Sequence, residues 1–351
     1  MTTIRDVAKR AGVSVKTVSR VINDEPLVRP RTRDCVRQAM LELGYTPNVL
    51  AQHLARGRSM VILLLFNDAT WAYLGDVLRG CLAVARSAGY SIIMHQFEPG
   101  EACAQQIVLE MVAQRRVDGL LFTPPCDNAP YLLEDLWRRD VPCVRLTPQD
   151  RQCPVPYVTA DDRGGAREAT RYLVTLGHRR IGFIVGNRAH SASHERLIGF
   201  REVAEKYGLP LDAELVVSGD WSFHSGVAGA RELLALRPRP TAIFASNDDM
   251  AAGVLSVARE LGLAVPDGLS AVGFDDIPLA WEVSPPLTTV RQPIVDMSRL
   301  ACGLLIDLMT GREVEVMHRE LPTQLIVRES TGPPPKAASR RRQVRSKRPG
   351  T

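Results

Sequence analysis

None of the 351 residues fall in a stretch approaching the roughly 18 consecutive apolar residues that a membrane span needs. The N-terminus, MTTIRDVAKRAGVS, reaches a charge within its first five residues and has no apolar h-region. It does not read as a signal peptide, and the chain is expected to stay in the cytoplasm. The seven cysteines (35, 81, 103, 126, 143, 153 and 302) form no CxxC pair and have no histidine at metal-ligand spacing. They are expected to be buried free thiols of a reducing compartment, which excludes a disulfide scaffold and a structural zinc. Enzyme signatures are missing too: there is no GxGxxG after a strand, no GxxxxGK followed by Ser or Thr, no GxSxG and no HExxH. No catalytic residue, metal or cofactor is expected.

What is present is an ordinary globular composition, 45% hydrophobic and 24% charged, on a chain long enough for two or three domains. The net charge of +5 hides a split. Residues 1–58 carry 11 Lys and Arg against 5 Asp and Glu, residues 336–351 carry 7 against none, and the middle is left at net −8. A basic head on an acidic body points to a polyanion partner for the head.

Within that head, Ile4, Val7, Ala8 and Ala11 stand at i, i+3, i+4 and i+7, the stripe of an amphipathic helix, which Gly12 ends. Ser14 can cap a second helix, with Val13 and Val18 as a staple across the cap. Two helices on so tight a turn make a helix-turn-helix. A third is signalled by Val36, Ala39, Met40 and Leu43 and stopped by Gly44. The second helix, in VSVKTVSRVIN, puts Val18, Val21 and Ile22 on one face and Lys16, Arg20 and Asn23 on the other. Lys16 and Arg20 can reach guanine edges in a major groove, while Asn23 and the hydroxyls of Thr17 and Ser19 can reach bases or phosphates. A solvated face is the alternative reading; the preceding helix, the turn and the basic count weigh against it. In GYTPNVLAQHLARGRS, Thr46 and Pro47 start a further short helix with a narrow edge of Val49, Leu50 and Leu54. About ten residues do not hold a helix alone in water, so this segment reads as a hinge that folds only when supported, or as an ordinary linker.

The runs TIRDVAKRAGVS, KTVSRVIN, TRDCVRQAMLELGYTPN and LAQHLARG together resemble the DNA-binding head and hinge of the lac repressor family of bacterial transcription regulators, over residues 2–59. The resemblance implies that Val15, Lys16 and Arg20 read bases and that Leu54, with Ala55 beside it, contacts the minor groove, Leu54 as the wedge between the central base pairs. Paired hinge helices of a homodimer would fold on that site and kink the duplex. Val15 and Lys16 are variable reading positions in such proteins, so the operator sequence does not follow from the likeness.

From residue 60 short apolar runs alternate with helical stretches. The runs are VILLLF (61–66), SIIM (91–94), VDGLLF (117–122), IGFIV (181–185), TAIFAS (241–246) and LSAVGF (269–274); the helical stretches include 101–116, 164–177 and 193–208. The alternation predicts two parallel sheets flanked by helices, with binding in a cleft at the strand C-terminal ends. The paired carboxylates Asp248 with Asp249 and Asp275 with Asp276 could suggest acid/base or metal chemistry. Neighbouring residues point in different directions, however, so only one of each pair can face a common site. Trp221 offers a flat apolar face, Arg196 a donor fork, and Asn247 and Asp275 short polar groups, a set that suits a polyhydroxylated ligand. Core filler and surface ion pair are the bland alternatives for Trp221 and Arg196.

LGHRRIGFI, ERLIGF, GDWS, SNDDMAAGVL, VPDGLSAVGFDD and PPLTTVRQP extend the resemblance to the family's sugar-binding domain, itself similar to periplasmic binding proteins, over about residues 60–330. It implies that Arg196, Asn247 and Asp275 bind ligand hydroxyls, that Trp221 stacks on the ring and that Tyr73 is an aromatic cleft position. His190 lies where purine-binding relatives carry an arginine; it is a ligand contact or an exposed loop histidine. The expected layout is an all-α helix-turn-helix head (1–46), a hinge helix and linker (47–59), a two-lobed α/β ligand-binding and dimerisation domain (60–332) and a basic tail (333–351). The tail, PPPKAASRRRQVRSKRPGT, reads as a disordered solubilising end or a non-specific DNA clamp, and lacks the leucine heptads some relatives use to tetramerise. The function implied is a dimeric repressor that binds pseudo-palindromic operator DNA and is released by a sugar. The alternatives are a corepressor-dependent regulator, an architectural DNA binder with no effector, or a sugar-metabolising enzyme fused to a DNA-binding head.

Overall fold

A computed structural model describes residues 2–22, 25, 27–45, 58–67 and 71–335. The chain divides into two compact units, Met1–Val61 with Glu110–Asp118, and Ile62–Leu109 with Gly119–Thr351.

The first unit carries three helices, α1 (Ile4–Ala11), α2 (Val15–Ile22) and α3 (Pro30–Glu42). Local chemistry sets their ends. Asp6 Oδ2 accepts from the backbone N and the hydroxyl of Thr3 at the start of α1, Gly12 closes it with φ 66°, and Ser14 Oγ accepts from Thr17 N at 3.1 Å to cap α2. Val7, Val18 and Val36 are fully buried at the centre, with Ala8, Val21 and Ala39 around them. The four positions predicted on the stripe of α1 and the four on that of α3 all belong to this core, Ile4, Ala11, Met40 and Leu43 as partly buried members.

From residue 61 on, the chain alternates strands and helices: β1 (Val61–Phe66), α4 (Trp71–Ser87), β2 (Ser91–Gln96), α5 (Ala102–Ala113), β3 (Gly119–Phe122), α6 (Pro130–Arg138), β4 (Cys143–Leu146), β5 (Tyr157–Ala160), α7 (Asp162–Thr175), β6 (Ile181–Val185), α8 (Ser191–Lys206), β7 (Val216–Ser218), α9 (Phe223–Ala235), β8 (Ala242–Ala245), α10 (Asp248–Glu260), β9 (Ser270–Asp275), α11 (Leu279–Glu282), β10 (Thr288–Arg291), α12 (Ile294–Thr310), β11 (His318–Leu321) and β12 (Gln324–Ile326). Two six-stranded sheets result, ordered β2-β1-β3-β4-β5-β11 and β7-β6-β8-β9-β10-β12. β12 joins its sheet antiparallel. The shared order places a switch point between β1 and β3 in one lobe and between β6 and β8 in the other, where a crevice opens outside the strand ends.

Both lobes are discontinuous. The chain leaves the first after β5, returns to it after β10, and α12 then packs on α4 and against β3, β4 and β5. It crosses again between β11 and β12, where Thr323 Oγ1 donates to Asp161 O and ties two of the crossings together. The second lobe has a core on each side of its sheet: Phe183, Phe200, Phe244 and Phe274 on one face, Ile184, Ile243, Leu233 and Val254 on the other. Burial on both faces is why these strands read as unbroken apolar runs.

Several expectations need correction. The helical stretches at 101–116, 164–177 and 193–208 are α5, α7 and α8, displaced by one to three residues at their ends because caps rather than periodicity end a helix; Asp161 Oδ1, for example, accepts from Gly164 N at the start of α7. β4, β5, β7, β10, β11 and β12, each of three or four residues, carry too little pattern to be read. The cysteines are free, yet only Cys81, Cys126, Cys143 and Cys302 are buried, while Cys35 and Cys103 are exposed. Cys35 stands beside the buried Val36 on α3, and its thiol donates to the carbonyl of Ala11 at 3.6 Å at the exposed edge of the head; helix position, not residue type, decides. The hinge segment with Leu54 and Ala55, Asn23, and the tail from residue 336 lie outside the described residues.

Candidate functional site

On α2 the packing of Val18 and Val21 inward leaves Val15, Lys16 and Arg20 exposed, with Thr17 and Ser19 half-buried at the margins. The face is not wholly unengaged. Thr17 Oγ1 lies 2.9 Å from Ser14 Oγ in the helix cap, and Arg20 Nε is 3.4 Å from Glu25 Oε2 in an exposed ion pair.

In the two-lobed unit, a cleft opens at the strand ends and is lined by Tyr73, His190, Arg196, Trp221, Asn247 and Asp275. All six sequence-predicted positions therefore converge, although they come from five separate loops and helix starts. Pro124, Thr147, Ala192 and Gln292 complete the lining.

Arg196 is the centre of the polar network. It is 2% exposed, donates from Nε to Asp162 Oδ1 at 2.8 Å and from Nη1 to the carbonyl of Ser246. Its Nη2 is 3.3 Å from Asp275 Oδ1, and its guanidinium lies 3.6 Å over the Phe274 ring. Asp275 also accepts from Gln292 Nε2 at 2.7 Å. Burial pushes the Asp275 carboxyl up to about 6, with Arg196 and Gln292 opposing. Tyr73, half-buried, lies near the same group: desolvation, then the charge of Asp275, pushes its phenol up.

Trp221 has φ 75°, and Asn247 holds it there, donating from Nδ2 to the Trp221 carbonyl at 2.9 Å while its Oδ1 caps α10 through Met250 N at 3.0 Å. Asn247 thus positions the indole. The indole lies flat against Gly186, where a Cβ would come within 2.3 to 2.5 Å of three ring carbons, so that position tolerates no side chain. His190 meets Trp221 edge-on, with centroids 5.6 Å apart. Burial, then the Arg196 charge, holds its imidazole down at about 4, so it is neutral at physiological pH.

The paired carboxylates separate as the geometry of neighbours requires. Asp248 is fully buried and accepts from Thr289 Oγ1 at 2.5 Å and Ile277 N at 3.0 Å, bracing the sheet. Asp276 takes Arg328 and Arg291 at 2.5 and 2.7 Å, so that of this pair Asp275 lines the cleft. Asp162 and Gln292 escaped the sequence reading. Asp162 stands in YVTADD at a strand-to-helix turn and Gln292 in VRQP; the position of a polar residue just past a strand was the available signal.

Two lobes also touch across the mouth of the cleft. Asn128 Nδ2 donates to Ala189 O at 3.0 Å, and Ser191 Oγ donates to Thr147 O at 3.2 Å. The loop of residues 187–191 therefore meets the first lobe twice while carrying His190 into the cleft.

Comparison with known proteins agrees with both halves. Residues 3–48 match the model for bacterial regulatory proteins of the lacI family, and residues 170–331 that for the periplasmic binding protein-like domain. The HTH-type transcriptional regulator DegA of Bacillus subtilis (strain 168) is 35% identical over 336 residues, covering 95% of this chain and 98% of its own. The ribose operon repressor of Halalkalibacterium halodurans is 36% identical over 333 residues, 94% of this chain and 97% of that one. Among solved structures, the lac repressor dimer bound to operator and the anti-inducer ONPF superposes with a TM-score of 0.82 at 30% identity, over 94% of this chain and 99% of that one. The complex of the transcriptional regulator CelR with cellobiose gives 0.71 at 34% identity, over 94% and 100%. With a helix-turn-helix head, a two-lobed body and relatives matched over nearly their whole length, the chain belongs to the lacI family of bacterial regulatory proteins and is a DNA-binding transcription regulator.

Proposed function

We propose that the protein is a homodimeric repressor whose operator binding is gated by a sugar in the cleft. The observation that carries the reading is the cleft itself: a buried guanidinium held between two carboxylates, a positioned indole and a neutral imidazole at the C-terminal ends of both sheets. Such a set of donors, acceptors and one flat apolar face suits a polyhydroxylated ring. The names of two relatives point the same way, the ribose operon repressor and the CelR–cellobiose complex.

The head over residues 1–46 would dock α2 in a major groove, with Val15, Lys16 and Arg20 on base edges and Thr17, Ser19 and Asn23 on bases or phosphates. Residues 47–59 would form the hinge, with Leu54 and Ala55 at the minor groove of the operator centre. Tyr73, His190, Arg196, Trp221, Asn247 and Asp275 would hold the effector within residues 60–332. The protein would act in the cytoplasm on nucleoid DNA. A flexible pyrimidine–purine step at the operator centre would make the kink cheap.

The test is to select operators from a randomised palindromic library and measure operator affinity of the purified chain with and without each member of a sugar panel. Release by one sugar is the expected result. Tightening would make that sugar a corepressor, and operator binding indifferent to every sugar that binds would mark an architectural DNA binder.

A further inference from the structure

We propose that the effector is an uncharged saccharide, bearing neither phosphate nor carboxylate, whose hydroxyl groups are selected by the indole N–H of Trp221 and the Nε2 of His190. This rests on the sugar reading above and narrows it.

Without a ligand, the described groups of the cleft already set more negative than positive charge. Among the described residues that line it, Arg196 is the only arginine or lysine. Its guanidinium is committed to Asp162, Asp275 and the Ser246 carbonyl and is clamped over Phe274. Two carboxylates thus face one cation. His190 adds no second cation, because its buried imidazole stays neutral. Arg188, on the same loop, is exposed and donates to Ser218 Oγ at 3.3 Å, outside the lining. A phosphate or carboxylate entering this site would lose its water and gain no uncommitted positive partner, while meeting the negative side of an occupied ion pair.

The polar groups left over are of the opposite kind. Among the described residues, Trp221 Nε1 and His190 Nε2 are buried side-chain atoms without a hydrogen-bond partner, and both belong to residues that line the cleft. The indole N–H can only donate; a neutral imidazole nitrogen donates or accepts according to its tautomer. A buried orphan is costly and is satisfied by the ligand the site was built for. A hydroxyl, donor and acceptor at once, satisfies both kinds of atom. Trp221 is placed for this by Asn247 and Gly186, and His190 by its edge-on contact with the indole.

The experiment is isothermal titration of the full chain at neutral pH with matched pairs: D-ribose and D-ribose 5-phosphate, D-glucose with D-glucose 6-phosphate and D-glucuronate, cellobiose and cellobionate. The expected result is binding by the neutral member of at least one set, with its charged partners at least about thirtyfold weaker. A charged member that binds as tightly as its neutral parent overturns this inference and leaves the sugar reading standing. If no member of any set binds, the sugar reading falls and this one with it. For the neutral probe that binds, Trp221→Phe, which keeps an aromatic face and removes the N–H, is expected to weaken binding about tenfold. His190→Ala is expected to do the same and His190→Asn to recover part of the loss. Unchanged affinity in Trp221→Phe overturns the role of the indole N–H.

Discussion

Arg20 shows how much of a binding face is decided by a single neighbour. Its ion pair with Glu25 at 3.4 Å is exposed on both sides, and such pairs contribute about 0 to 1 kcal/mol, so a guanine edge can displace Glu25 readily. Arg20→Ala is expected to lose about 1 to 3 kcal/mol of operator affinity concentrated at one base pair per half-site, measured on operators carrying each single base-pair change. A uniform loss over all sequences would make Arg20 a phosphate contact instead. In the cleft, Gly186→Ala is expected to displace the Trp221 indole, because the new Cβ would sit within 2.5 Å of ring carbons. Effector affinity should fall at least about tenfold while far-ultraviolet circular dichroism stays that of the parent. His190 supplies a pH signature. Its folded pKa of about 4 lies below the ordinary 6.5, so the unfolded chain binds its proton first as pH falls. The stability contributed by the neutral ring is present above 6.5 and is lost as pH drops toward 4. His190→Gln removes that loss. Its melting temperature should therefore rise relative to the parent as pH falls through this window, by the equivalent of at most about 3 kcal/mol; a difference independent of pH would show that the ring does not stay neutral.

The helices of the head were legible because three short amphipathic stripes and their caps say the same thing: Val7, Val18 and Val36 sit at the centre where periodicity placed them. The second-lobe strands IGFIV and TAIFAS were legible for the opposite reason, an absence of alternation under burial on both faces. β11 was not legible. HREL is largely exposed at a sheet edge, and backbone pairing with Tyr157–Ala160 rather than any apolar pattern makes it a strand. At this scale the proposed hinge over residues 47–59 carries its own prediction. Leu54→Ala is expected to weaken specific operator binding more than binding to random duplex, compared at one salt concentration, since a wedge acts only where the duplex kinks. Equal losses would remove the wedge role.

At the scale of the whole body, the two lobes meet across the cleft mouth through Asn128 with Ala189 and Ser191 with Thr147. These contacts favour the closed arrangement, and a ligand that bridges the lobes binds more tightly where closure is already populated. Asn128→Ala is expected to weaken effector binding about three- to tenfold without touching a cleft residue, read by titration with the sugar that binds. Unchanged affinity would mean that the bond does not bias lobe closure. A saturating effector, at about a hundred times its Kd, should in turn stabilise the protein by roughly 2.7 kcal/mol.

By itself the sequence determined the helix-turn-helix, the exposed face of α2, the alternating body and six of the residues that line the cleft, because each depends on local spacing, on the residue types that end strands, or on motifs long enough to match a family. Tertiary structure alone decided what those residues do for one another. That Asp275 faces the cleft while Asp276 pairs with Arg328, that Asn247 holds Trp221, and that Asp162 pairs with Arg196 all depend on side chains distant in sequence arriving at one point. No spacing encodes such meetings; they follow from two sheets of the same strand order, threaded three times by one chain, opening their strand ends toward a common crevice.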